Sequence, residues 1–207
     1  MKAKEVLTKE EILETVIYRM MNKDANAELL PEMPHICILD LAAVYYCILS
    51  QEDGYHIGLF INNELCQHFG IQPEELDAAA RQNTEAAGFT ARECCRLLGL
   101  PEGILPWRMY AITNQQEQYG ASALLYEECF RSLADQEDGD LYILPSSIHE
   151  LIAVPVVTGD LTGLQDIVRE INCTKDVISP DEVLSNNVYR YSRDGGLTCV
   201  TLDGKRK

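Results

Sequence analysis

Apolar and polar positions alternate along this chain with two distinct periods, and the switches between them outline its elements. Thr8-Lys9-Glu10-Glu11 has the spacing of a capping box. Behind it, Ile12, Leu13, Val16, Ile17 and Met20 fall on one helical face, which predicts an N-terminal amphipathic helix to about Asn22. Asn26, Pro31 and Pro34 punctuate the following stretch as a loop. From His35 to Leu49 the chain is mostly apolar and aromatic, with Val44, Tyr45, Tyr46 and Ile48 favouring a strand. Gln51-Glu52-Asp53-Gly54 reads as a turn and Tyr55 to Ile61 as a second strand, so the pair predicts a hairpin. Asn62-Asn63 caps a short helix through Phe69, and Pro73 opens another running to about Ala87. Thr90-Ala91-Arg92-Glu93 has capping-box spacing and predicts a short helix ending at Gly99.

The densest run lies between Arg108 and Val156. Met109 to Thr113 reads as a strand, Asn114 to Gly120 as a polar loop, and Ala121 to about Ala134 as a helix. The acidic turn Asp135 to Asp140 leads to the strand Leu141 to Leu144, and a second apolar run spans Leu151 to Val157. Thr162-Gly163-Leu164-Gln165 caps a helix with Leu164, Ile167, Val168 and Ile171 inward, and Ser179-Pro180-Asp181-Glu182 marks a further helix start. Arg193-Asp194-Gly195-Gly196 joins Val188–Tyr191 to Leu197–Leu202 as a C-terminal β-hairpin. Helices and strands interleave without strict alternation. That predicts an α+β fold with a mixed β-sheet, organised as a single domain over residues 1–207.

Charge narrows the partners. Thirty-three acidic residues against 17 basic ones give a formal net charge of −16. Such a field repels phosphate, so direct nucleic-acid binding is disfavoured, whereas a basic protein partner is attracted. No apolar run approaches the roughly 18 residues of a membrane span, and the N-terminus lacks the features of a secretory signal. A cytoplasmic location follows. The eight cysteines sit mainly within apolar segments and predict free thiols. No C-x-x-C pair exists, and His35-Ile36-Cys37 and Cys94-Cys95 lack zinc-site spacing, so neither metal nor other cofactor is expected. The acidic turn lacks the alternating ligands and distal glutamate of a calcium loop.

Two groups of residues carry candidate chemistry. Ser146, Ser147, His149 and Glu150 place hydroxyls, an imidazole and a carboxylate within six positions. A hydrolase needs a hydroxyl bonded to an oriented base, and residues so close in sequence seldom converge that way. Ser147-x-x-Glu150 is also a capping-box spacing that closes a helical turn between two strands, and this is the preferred reading. Asn83, Thr84 and Asn114 follow periodic segments. They either bond backbone at element ends or face a binding cleft shared with His149.

Five further stretches carry a resemblance: Ala80 to Thr84, Met109 to Asn114, Gly120 to Tyr126, Leu144 to Glu150 and Val183 to Tyr189. In these the chain resembles the bacterial family known as domain of unknown function 5688. The resemblance covers most of the chain and implies a family without assigning an activity or a catalytic residue. It also implies that a family N-terminal segment precedes this sequence. The sequence is therefore read as a non-enzymatic accessory or binding protein with an acidic surface. One alternative is an acidic nucleic-acid mimic that blocks a DNA- or RNA-binding protein. The other is a hydrolase using Ser146 or Ser147 with His149.

Overall fold

The computed structural model describes residues 7–52, 55–101, 103–105, 107–145, 147–157, 160–173 and 182–200. Its first element is the expected capped helix α1 (Lys9–Thr15), in which Thr8 Oγ1 accepts from Glu11 N at 3.2 Å and Glu11 accepts from Thr8 N at 2.8 Å. The helix stops at Thr15 instead of Asn22, and strand β1 (Val16–Asn22) follows directly. The apolar residues here satisfy both periods. β-Branched Val16 and Ile17 favour strand, and an open ladder edge decides it, burying Val16, Tyr18 and Met20 in alternation.

The stretch expected as one strand from His35 is two. β2 (His35–Ile38) reverses at Leu39 and Asp40 into β3 (Leu41–Glu52), with Leu39 at φ +52°. No glycine marks that turn, so it reads as continuous strand in the sequence. β3 is the centre of the first sheet: β1 pairs along one edge, while β2 and then β4 (Tyr55–Phe60) share the other. Helices α2 (Asn63–Phe69) and α3 (Pro73–Ala86) follow, and α1 and α3 pack over the face that carries Tyr18 and Tyr45. Both phenols donate to one oxygen of Asp77 on α3, at 2.6 and 3.0 Å. Burial, first, and these bonds push both phenols above their ordinary range.

The second sheet has the order β10-β9-β7-β8-β6-β5. Thr90 to Glu93 form no capping box. They belong to edge strand β5 (Phe89–Glu93), paired with β6 (Tyr110–Asn114), and the one-turn helix α4 (Cys94–Leu97) begins after them. The expected helix from Ala121 is split into a 3-10 turn over Gly120–Leu125 and α5 (Glu127–Gln136), with extended Tyr126 between them. β7 (Leu141–Leu144) and β8 (Leu151–Pro155) flank the Pro145–Glu150 turn. Helix α6 (Leu161–Cys173) is capped by Asp160, which accepts from Gly163 N at 3.0 Å, two positions ahead of Thr162. The C-terminal hairpin β9 (Val188–Ser192) and β10 (Gly196–Val200) is as the sequence predicts. The fold is α+β. Its strands form two sheets in place of a single mixed one, and every described pairing is antiparallel. The turn at Asp53-Gly54, the helix start at Ser179-Pro180-Asp181 and the basic tail lie outside the described residues.

One buried core runs through both sheets, from Ile12, Tyr18 and Leu41 to Ile143, Leu151 and Tyr189. Asp40, in the first sheet's tight turn, clamps the two together. It accepts from Ser185 Oγ, Asn187 Nδ2 and Tyr189 Oη at 2.5, 2.9 and 2.6 Å. Asn22 adds a bond to Leu184 O at 2.7 Å. The segment Leu184 to Tyr189 therefore serves as a docking strap between sheets.

Candidate functional site

The Asn114–Gly120 loop is built by one side chain. Asn114, buried at the end of β6, accepts from the amides of Gln116 and Gln118 at 3.1 and 3.2 Å and donates to Gln118 O at 2.6 Å. It imitates a strand partner and holds the loop in a tight reversal. Glu117 and Tyr119 both take positive φ, +55° and +57°. Each such residue costs on the order of 1 kcal/mol or more, and such strain gathers where a loop has a function. Two further bonds pin the loop to the β7–β8 turn, Gly120 N to His149 O at 3.0 Å and Thr113 Oγ1 to the same oxygen at 2.8 Å.

The strained Tyr119 ring is the hub of a polar-aromatic cluster. His149 stacks on it at 5.5 Å with a 27° interplanar angle, and His56 of β4 lies at 5.7 Å. Tyr46 of β3 meets it at 5.4 Å. The guanidinium of Arg19 stands 5.3 Å from the Tyr119 and Tyr46 rings and 5.0 Å from that of Phe60. Burial, first, and the neighbouring Tyr46 push the Tyr119 phenol up to about 12. Burial and then the nearby His149 push His56 below its ordinary value. His56 Nδ1 is buried and has no hydrogen-bond partner among the described residues.

Beside this cluster a cleft of about 350 Å³ opens between the sheets. Ile17 and Ile48 form part of its wall, with His56, Tyr119 and Ser122. Five carboxamides also line it: Gln51, Asn83, Asn114, Gln116 and Gln118. Thr15 and Thr84 contribute hydroxyls, and Glu14 is the one carboxylate of its lining among the described residues.

Of the residues singled out in the sequence, Asn83, Thr84 and Asn114 lie on the walls of this one cleft. Each also holds backbone. Asn83 Nδ2 donates to Leu13 O and Val16 O at 3.0 and 2.8 Å, where α1 passes into β1, and Thr84 Oγ1 accepts from Tyr18 N at 3.0 Å. His149 does not line the cleft. It backs it, stacked behind Tyr119.

The Ser147–Glu150 segment does not form the capping box expected of it. Ser147 Oγ accepts from the amide of His149 at 3.1 Å, a hydroxyl-closed turn two residues long instead of a capping box reaching Glu150. The His149 ring is committed too. Nδ1 accepts from Tyr119 N at 3.3 Å, which puts the neutral ring's proton on Nε2, and Nε2 faces Glu182 at 3.5 Å. Among the described residues no hydroxyl bonds to this imidazole. Glu150 is half-buried, and that burial raises its carboxyl above the usual range. Ser146 lies outside the described residues.

The acidic turn is braced from within. Arg193 pairs with Asp135 and Asp138 at 3.5 and 3.3 Å, Arg190 with Asp140 at 2.7 Å, and Arg108 with Glu137 at 3.3 Å. Among the described residues no three His, Cys, Asp or Glu side chains approach closely enough to hold a metal ion.

Sequence reasoning missed Arg19, Tyr46, His56, Phe60 and Tyr119. Arg19 was legible: it is the one cation among the apolar residues of β1. A helical reading leaves it off the apolar face, whereas the strand places it beside Ile17 on the face opposite Tyr18.

The fold and cleft define an α+β protein with a carboxamide-lined inter-sheet cleft. The model of a family of unknown function (DUF5688) matches residues 1–193, and the chain belongs to that family. No curated protein and no solved structure matches it.

Proposed function

We propose that this protein is a non-enzymatic binding module whose inter-sheet cleft holds a small polar ligand. The carboxamide lining carries the reading. Five Asn and Gln side chains line about 350 Å³. With the Asn83 donors and the Asn114 acceptor already spent on backbone, Asn83 keeps its acceptor oxygen and Asn114 one N–H, a mixed lining that suits hydroxyl, amide or heterocycle groups. Three features support binding over catalysis. The asparagines are locked by backbone bonds, the loop is strained into place, and among the described residues Ser147 and His149 are both spent on backbone amides. A panel of neutral and charged polar metabolites, screened by thermal shift, tests it. Hits should be lost in Ala86→Trp, which fills the cleft from the exposed side of α3, while the variant's own melting stays close to wild type. Hits that bind Ala86→Trp unchanged remove the cleft from the account.

A second reading concerns the acidic surface. Residues 7–89 hold fourteen carboxylates and four cations. Glu10, Glu14, Glu28, Glu32, Glu74 and Glu85 are exposed and make no ion pair among the described residues, unlike the braced acidic turn. This half is the surface that would receive a basic protein partner, and in its sharper form would imitate nucleic acid. Association should then slow as salt rises. A captured partner whose affinity is flat with salt would exclude this reading.

A further inference from the structure

We infer that Arg19 is an anion-receiving position beside the cleft, taking the carboxylate or phosphate group of the ligand. This rests on the cleft being a binding site and names the charged end of what it binds.

Among the described residues Arg19 is a cation without a counter-ion, in a protein of net charge −16. Among the described residues its guanidinium makes no ion pair and no hydrogen bond, although carboxylates outnumber cations almost two to one. Lys9, Arg92, Arg96, Arg108, Arg131, Arg190 and Arg193 each hold at least one carboxylate, whereas Lys23 and Arg81, like Arg19, make no ion pair among the described residues. Arg19 is instead gripped by rings, with Tyr46, Phe60 and Tyr119 all within 5.0 to 5.3 Å of its central carbon.

Three ring faces fix the position of a guanidinium plane and leave its N–H edge unspent. None of the nitrogens is buried without a partner, so the edge opens to solvent. A planar fork of N–H donors held this way matches the paired oxygens of a carboxylate or phosphate. Pre-orientation by the rings means little side-chain freedom is lost when an anion arrives.

Placement joins this fork to the cleft. Ile17 and Arg19 lie on the same face of β1, about 7 Å apart along the strand. Ile17 and Tyr119 line the cleft, and Tyr119 also supplies one of the three rings beneath Arg19. Cleft wall and guanidinium thus share a side chain. His56, whose buried Nδ1 has no hydrogen-bond partner among the described residues, stands against the same Tyr119 ring and also lines the cleft. A ligand with a polar body among the carboxamides and an anionic end at Arg19 uses all of these groups.

The test is an NMR titration of the arginine Nε–H signals, with Arg19 assigned by its disappearance in Arg19→Lys. One arm adds inorganic phosphate and the other succinate, each at constant ionic strength balanced with sodium chloride. The Arg19 signal should move with a saturable curve in at least one arm, and the arm that saturates at lower concentration names the anion. Exposed Arg96 should not follow it. Arg19→Gln should weaken the binding at least tenfold, read from backbone amides of Tyr119 and Ile17. An Arg19 signal that stays still in both arms, or that moves only in step with Arg96, overturns the inference whatever the variants do. Neutral ligands that still depend on Ala86 in that case leave the cleft reading standing and remove only its charged end.

Discussion

Gly120→Ala is the sharpest probe of how the cleft is held open. Gly120 has no positive φ, so alanine suits its backbone and by chain entropy alone would stabilise the fold by about 0.4–1 kcal/mol. Space decides the other way. A Cβ there would lie 2.3 Å from Thr113 Oγ1, 2.5 Å from His149 O and 2.7 Å from Thr113 Cα. Two of these atoms are backbone and the third sits on a short, bonded side chain, so the loop itself must retreat. Retreat breaks the bonds that His149 O receives from Gly120 N and Thr113 Oγ1. A buried acceptor left short costs about 1–3 kcal/mol, and overpacking another 1–3 kcal/mol. After subtracting the entropic gain, the net loss is about 1–5.5 kcal/mol. For a chain of this size that is a fall in Tm of roughly 2–20 °C. Thermal and urea unfolding measure it, and loss of the Tyr119–His149 stack should appear as an upfield-shift change in the His149 ring protons. A variant as stable as wild type, with that stack intact, would refute the claim that backbone crowding at Gly120 seats the loop.

Three other outcomes are expected. Asp40→Asn should cost about 1.5–3 kcal/mol in urea unfolding, because an amide cannot accept from both Ser185 and Asn187 on one side while Tyr189 keeps the other; a change under 0.5 kcal/mol would mean the clamp is ornamental. The folded state disfavours the charged form of His56, so its contribution is full above the unfolded value of about 6.5 and is lost as pH falls through the lowered folded value. His56→Gln should flatten the decline in Tm below neutral pH, and an unchanged slope would assign that decline elsewhere. Native thiol labelling should begin at exposed Cys37, while Cys47 and Cys94, buried and with thiols raised chiefly by that burial, wait for unfolding; early labelling of Cys47 would contradict its burial.

Local signals settled much of this protein in advance. The Thr8 capping box, the Asn62 cap, the Pro73 start and the Asp-Gly-Gly hairpin each satisfy their own backbone groups within a few residues, so no distant contact was needed to place them. Class and family were legible for the same reason. What the sequence left open was set by pairing. Val16 to Asn22 fit a helical stripe and a strand equally until β3 offered an edge, and that choice decided which way Arg19 faces. Thr90 to Glu93 carried a helix-start spacing that β6 overrode with a ladder. Leu39 gave no sign of the turn it makes, because that turn is secured by Asp40 reaching three residues some 145 positions away. Asn83 and Asn114 were visible as polar residues at element ends, but their meeting across one cleft depends on how the two sheets pack. A cleft belongs to no single segment. Its walls come from β1, β3, β4, α3 and the strained loop after β6, and only tertiary packing brings them to a common space.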